Sequence, residues 1–281
     1  MEAASSGASA TQTDVPALVY RHALPVRIAH WINVVCLFIL LMSGLQIFNA
    51  HPSLYIGSAS DPSQRVLSMG AVREADGTPV GVTTIGDLRF RTTGVLGLSK
   101  GIDGEPENRG FPSWITIPSY RDLATGRRWH FFFAWLFVVN GLAYFIYSIL
   151  SGHFRRDFVP TQTQVRHIGH DILDHLRLRF PKGEEAKHYN VLQKLAYLFV
   201  VFVLLPVTIL AGLTMSPGLD AAFPFLLDIF GGRQSARTVH FICASGIVLF
   251  VFIHVLMVIV SGVWNNLRSM VTGRYRIEPA E

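Results

Sequence analysis

Hydrophobic positions fall into four long runs separated by polar stretches: Ile28 to Phe48, Trp129 to Leu150, Val191 to Met215 and Thr238 to Trp264. A helix rises about 1.5 Å per residue, so about 20 apolar residues cross the ~30 Å hydrocarbon core of a bilayer. Each run is long enough, and each predicts a membrane-spanning helix. Trp31, Trp129 and Trp264 sit near run ends, where an interfacial aromatic belt belongs. The first run starts well inside the chain, is too long for the apolar part of a secretion signal and lacks a small-residue cleavage site. It is therefore expected to be retained as a span. The predicted fold class is all-α integral membrane, a bundle of four transmembrane helices.

Between the runs the pattern changes. Residues 1–16 are rich in Ala, Ser, Thr and Gly without periodicity and are expected to form a disordered tail, leaving 17–281 as the membrane domain. Residues 49–128 are dense in Gly, Pro, Thr and Ser and show no helical period. So long an insertion between helices one and two is usually functional, and it is read as a periplasmic cap or docking surface. Within it, the alternating pieces Val80–Ile85 and Asp87–Phe90 predict a small β-hairpin. Further on, Val165, Ile168, Ile172 and Leu176 mark the apolar face of an expected interfacial helix. His167, His170, Asp171, Asp174 and His175 fall mostly on its other face, a solvated polar surface in preference to a metal site.

Composition agrees: half of the residues are hydrophobic, 15% are charged and the mean hydropathy is +0.37. Lys and Arg set the expected orientation. The 151–190 loop carries Arg155, Arg156, Arg166, Arg177, Arg179, Lys182 and Lys187, and the C-terminal tail Arg268, Arg274 and Arg276, whereas the 216–237 connection has only Arg233 and Arg237. Positive loops stay inside, so both termini and the 151–190 loop are expected in the cytoplasm. The net charge of +5 then reports topology, and no nucleic-acid partner is needed to explain it. Cys36 and Cys243 both lie in spans and there is no Cys-x-x-Cys-His, so a disulfide framework, an iron–sulfur cluster and covalent haem attachment are unsupported.

Histidine is costly in hydrocarbon and is functional there by default. Four lie inside or at the edge of the runs: His30, His130, His240 and His254. The last two are fourteen residues apart, which is about 1400° of rotation and about 21 Å of rise, so they share one helix face at two depths. With helices of alternating direction, His30 joins His254 in the cytoplasmic half and His130 joins His240 in the outer half. A bis-imidazole haem needs one neutral histidine on each side of its iron, and two such sites stacked across the bilayer need this arrangement. The missing cysteine motif makes them haem b. A zinc site would gather its ligands at one depth. A haem-free transporter or proton relay would bring Asp, Glu or Lys to mid-membrane, where only Lys194 approaches, at an edge.

Arg27, Arg127 and Arg237 each precede a span histidine by three residues, one turn nearer the surface on about the same face. Arginine binds carboxylates such as haem propionates through paired hydrogen bonds; snorkelling at helix ends is the bland alternative. Gly44 and Gly141 lie fourteen and eleven residues after His30 and His130, where missing bulk lets a flat ligand approach the backbone, or lets helices pack. The third run has no histidine. With Pro206 and Gly212 it is expected to be scaffold.

These residues resemble the four-span dihaem cytochrome b subunits of nickel-iron hydrogenases, formate dehydrogenases and thiosulfate reductases. The carriers are Arg27-Ile-Ala-His30-Trp31, His130 and the His240/His254 pair. Tyr20 to His30 and His51-Pro-Ser-Leu-Tyr55 look most like the thiosulfate-reductase branch. The resemblance covers the four spans, and the 49–128 insertion is longer than the loops of the hydrogenase and formate members. It implies a bacterial inner-membrane protein with two haem b groups, one on His30 and His254 and one on His130 and His240. It also implies quinone chemistry at the cytoplasmic-side haem and a periplasmic oxidoreductase partner, of the molybdopterin type by preference. Candidate quinone contacts are His153, Arg155 and Arg156 after the second span and His22 before the first, although a positive-inside cluster would look the same. A stand-alone oxidoreductase passing electrons from a small periplasmic donor such as superoxide to quinone is the competing electron-transfer reading.

Overall fold

The computed structural model describes residues 17–162, 166, 169 and 191–277. The tail expected at 1–16 lies outside the described residues, as does the interfacial helix expected over 165–176 apart from Arg166 and Gly169. Among the described residues, four helices are long and apolar enough to cross a membrane: α1 (Leu24–Asn49), α2 (Leu123–Leu150), α3 (Val191–Leu213) and, after the short α4 (Pro217–Ala222) and α5 (Phe225–Phe230), α6 (Arg233–Val260).

Helices α1 and α2 begin before their apolar runs, each for a local reason. Pro25 in the first turn of α1 loses no hydrogen bond there. The Asp122 carboxylate accepts from Thr125 N–H at 3.0 Å and opens α2. At the other end, Gly262 (φ 104°) turns the chain just after α6, so Trp264 belongs to a separate helix, α7 (Val263–Thr272). Within α3 a widened turn over Val200–Leu204 precedes Pro206, whose ring presses on the preceding turn and offers it no N–H.

Along the membrane axis α1 packs on α2 and α3 on α6, while the backbones of these two hairpins meet at few points. An even number of spans puts both ends of the described chain at one end of the bundle. There β1 (Ala17–Tyr20) pairs antiparallel with β8 (Arg274–Ile277). Arg27 and Trp31 of α1 donate to the carbonyls of Val271 and Met270 in the last turn of α7.

The opposite end is closed by a β cap. Strands β2 (Ser53–Tyr55), β3 (Arg65–Arg73), β4 (Pro79–Ile85) and β5 (Leu88–Arg91) form an antiparallel sheet in that order, and β6 (Gly97–Lys100) pairs with β7 (Pro106–Arg109). The hairpin expected at 80–90 is β4–β5, with Ile85 opposite Leu88 and Gly86 at φ 56° in the tight turn. The glycine density has a packing cause. A Cβ at Gly81 would lie 2.5 Å from Leu96 O, and one at Gly97 2.6 Å from Gly70 O, so β6 approaches the sheet backbone to backbone.

Polar contacts join this cap to α1 and α6. Buried Arg109 donates to Phe111 O, Ser119 O, the Glu107 carboxylate, Thr116 Oγ1 and Gln46 Oε1 of α1. The Asn49 side chain pairs with both backbone groups of Phe111. Gly57 O accepts from the first-turn N–H groups of Gln234 and Ser235, and Thr238 Oγ1 donates to Tyr55 O.

Candidate functional site

Two histidine pairs bridge the hairpins. On the cap side the ring centroids of His130 (α2) and His240 (α6) are 6.3 Å apart with planes at 65°. On the termini side those of His30 (α1) and His254 (α6) are 6.4 Å apart at 58°. An imidazole nitrogen binds a metal at about 2.0–2.1 Å and lies about 1.1 Å from its ring centre, so two imidazoles on opposite sides of one metal would have centroids about 6.2–6.4 Å apart. Both pairs meet that spacing.

The cap-side rings rest on neighbouring helices in matching ways. His130 Nδ1 lies 3.1 Å from Ser43 Oγ, and the Ser43 hydroxyl gives its own proton to Ile39 O at 2.6 Å. The hydroxyl therefore accepts from His130, which also has the Leu40 carbonyl as an acceptor, so its Nδ1 carries the proton. His240 Nδ1 lies 2.8 Å from the Thr208 carbonyl of α3, which can only accept. Both rings are thus left with the lone pair on Nε2, the tautomer a metal ligand needs. Glycine makes each seat possible: a Cβ at Gly44 would lie 3.3 Å from His130 Cε1, and one at Gly212 3.2 Å from His240 Cε1.

The termini-side pair is held differently. Trp31 packs edge-on against His30 at 5.4 Å, and Phe250 stacks on His254 at 6.1 Å. His30 Nδ1 and, one turn earlier, Arg27 Nε are buried without hydrogen-bond partners. Buried polar atoms are nearly always satisfied, so the unpartnered Arg27 nitrogen beside an imidazole pair suits a ligand that bears carboxylates as well as a metal. The donor set fits a b-type haem: imidazoles for the iron and guanidinium for a propionate.

The other expected residues are distributed as follows. Arg127 lies over the Phe131 ring at 5.5 Å; Arg237 lies over the Phe48 ring at 5.6 Å and donates to His51 O. Gly141 has nothing within 4 Å of a built Cβ. His153 connects to the termini-side pair through ring contacts of 5.5, 6.2, 5.8 and 6.1 Å, via Phe158, Tyr197 and Phe250 to His254. Arg155 and Arg156 lie in the widened turn Phe154–Phe158, and His22 in the link from β1 to α1. Sequence reasoning missed Ser43 and Thr208 and read Gly212 as scaffold. The only signal was Ser43 standing beside Gly44, since a backbone carbonyl has no letter.

A family model described as prokaryotic cytochrome b561 matches residues 21–273. A protein of Azospira oryzae, provisionally named protein-methionine-sulfoxide reductase subunit YedZ1, is 39% identical over 147 residues, 52% of this chain and 70% of that protein. No solved structure matches the chain.

Proposed function

We propose, from the premise that the chain belongs to the prokaryotic cytochrome b561 family, that it is a dihaem subunit linking the quinone pool to an oxidoreductase partner on the cap side. The family makes it a multi-pass membrane protein that carries b-type haem and transfers electrons. The observation that carries the finer reading is the pair of histidine pairs, 6.3 and 6.4 Å between centroids and fourteen residues apart on α6. A haem b bound at each pair supplies a one-electron iron couple.

Around those groups the chain's own side chains have distinct tasks. His30 with His254, and His130 with His240, ligate iron. Arg27, Arg127 and Arg237 stand one turn toward the surface, where propionates are bound. Gly44 seats a ligand ring, and Gly141 offers backbone to a flat face. The positive-inside bias puts the cap in the periplasm and both termini in the cytoplasm of a bacterial inner membrane. Quinone then reacts near His30 and His254, with His153, Arg155, Arg156 and His22 as the candidate contacts for its head group. The partner meets the cap, and the reductase-subunit name of the Azospira relative supports an oxidoreductase there, for which a molybdopterin enzyme is preferred.

The test is the dithionite-reduced-minus-oxidised spectrum of the purified protein, with haem per chain by pyridine haemochrome, for wild type, His254→Ala and His240→Ala. Two haems in the wild type and loss of one in each variant are expected. A colourless protein, or one haem indifferent to both substitutions, overturns the reading.

A further inference from the structure

The partners of the ligand rings differ between the two halves of the bundle. On the cap side both rings have acceptors: Ser43 Oγ together with the Leu40 carbonyl for His130, and the Thr208 carbonyl for His240. On the termini side His30 Nδ1 is buried and has none. Ser43 is fully buried on α1, and the bond from its hydroxyl to Ile39 O leaves no proton to offer His130. A serine in an apolar helix commonly bonds back to its own backbone. That habit explains the 2.6 Å contact to Ile39 and leaves the 3.1 Å approach of His130 from another helix unexplained. Gly44, the next residue, is what lets the ring come so close.

An acceptor on Nδ1–H draws the ring proton outward and makes Nε2 a stronger donor to its metal. A stronger donor favours the ferric side of the couple Fe(III) + e⁻ ⇌ Fe(II), which lowers the midpoint. We infer that Ser43 is a positioning residue for the cap-side haem: as a second acceptor beside the Leu40 carbonyl it strengthens His130 as a ligand and holds that haem's reduction midpoint down. The termini-side haem lacks this influence at His30. The inference rests on the dihaem reading.

The experiment is a potentiometric titration of the full chain, with dithionite as electron source and optical detection, in wild type and in a His254→Ala background that isolates the cap-side haem. Ser43→Ala removes the hydroxyl acceptor and leaves the Leu40 carbonyl, without adding bulk, and Ser43→Thr keeps the hydroxyl. The expected result is a higher cap-side midpoint and altered low-spin ferric EPR g-values in Ser43→Ala, with the termini-side midpoint unmoved and Ser43→Thr close to wild type. Unchanged midpoints, equal shifts of both haems, or a Ser43→Thr that matches Ser43→Ala overturn the inference. If Ser43→Ala empties the cap-side site, Ser43→Cys decides. It has a similar size and is a weak acceptor, so a raised cap-side midpoint supports the role and an unchanged one overturns it. A wild type with fewer than two haems overturns this inference and the dihaem reading together.

Discussion

Gly212→Ala tests the seat of His240 with one methyl group. The added Cβ would stand 3.2 Å from His240 Cε1 and 3.3 Å from Nδ1, inside the roughly 3.5–4.0 Å at which carbon atoms pack best. The ring must retreat by a few tenths of an ångström, which stretches its 2.8 Å bond to Thr208 O. Overpacking of this kind costs about 1–3 kcal/mol, while replacing glycine within a helix returns about 0.5–1 kcal/mol. The net cost, about 0–2.5 kcal/mol, falls on one ligand, and every 1.4 kcal/mol is about tenfold in an equilibrium constant. Retention of the cap-side haem should therefore fall by about tenfold in affinity while the termini-side haem stays. Haem per chain and the low-temperature difference spectrum read this directly. Gly246→Ala is the control. Its Cβ would meet only the flexible Leu204 methyls at 3.4 and 3.6 Å, and it should keep both haems. A Gly212→Ala protein with full haem and an unchanged cap-side band refutes the reasoning.

Two further predictions concern the cap. His51 stacks on Tyr55 at 5.7 Å, and burial, then the Arg237 charge, push its imidazole pKa below the usual value. The unfolded chain then takes up a proton more readily, so the stability tied to His51 is full above about pH 6.5 and is lost as pH falls below it. Thermal unfolding from pH 7.5 down to pH 5 should show less acid destabilisation in His51→Phe than in wild type; parallel profiles count against the assignment. Arg109→Leu strands five acceptors around a side chain with no exposed surface. Breaking a buried pair costs about 3–5 kcal/mol, with the low end expected because Glu107 is partly exposed. The variant should lose thermal stability and be cut by protease within 50–122, and an uncut cap at unchanged Tm would contradict this.

What the chain discloses as a sequence depends on whether a contact is periodic. The spans are legible because about 20 apolar residues have few other uses. The histidine depths are legible because fourteen residues of helix fix both angle and rise. The start of α1 is legible in Pro25, which suits a first turn, whereas the start of α2 is hidden, since Asp122 acts by capping while the apolar signal begins several residues later. The cap is only partly visible: one hairpin announces itself by alternation, but strands made to carry Gly70, Gly81 and Gly97 at close backbone approach read as loop. The role of α3 is hidden more deeply. Its contribution to His240 is a carbonyl and a missing side chain, Thr208 O and Gly212, neither of which looks like chemistry until a ring from another helix lies against it.

The same contacts explain how the imidazole separations are held although the backbones of the two hairpins meet at few points. Helices that bury apolar faces settle at interaxial distances of about 8–10 Å, which leaves little room for a metal between two histidines. Here α1 and α6, which carry His30 and His254, are joined instead at their ends. At the cap end Gln46 and Asn49 of α1 engage Arg109 and Phe111, while Ser235 and Thr238 of α6 engage Gly57 and Tyr55. At the other end Arg27 and Trp31 hold α7, which follows α6 across the Gly262 turn. Helix α2 is fixed to α1 by Asn140, whose amide donates to Ala29 O and Asn33 Oδ1 at 2.9 and 2.8 Å. Each such bond is worth only about 1 kcal/mol. Together with the apolar contact of Phe48 on Phe241, 5.0 Å between ring centroids, they place four histidines by joints at the helix ends and one amide bridge within the bundle, so the space between the hairpins is set by geometry at its ends.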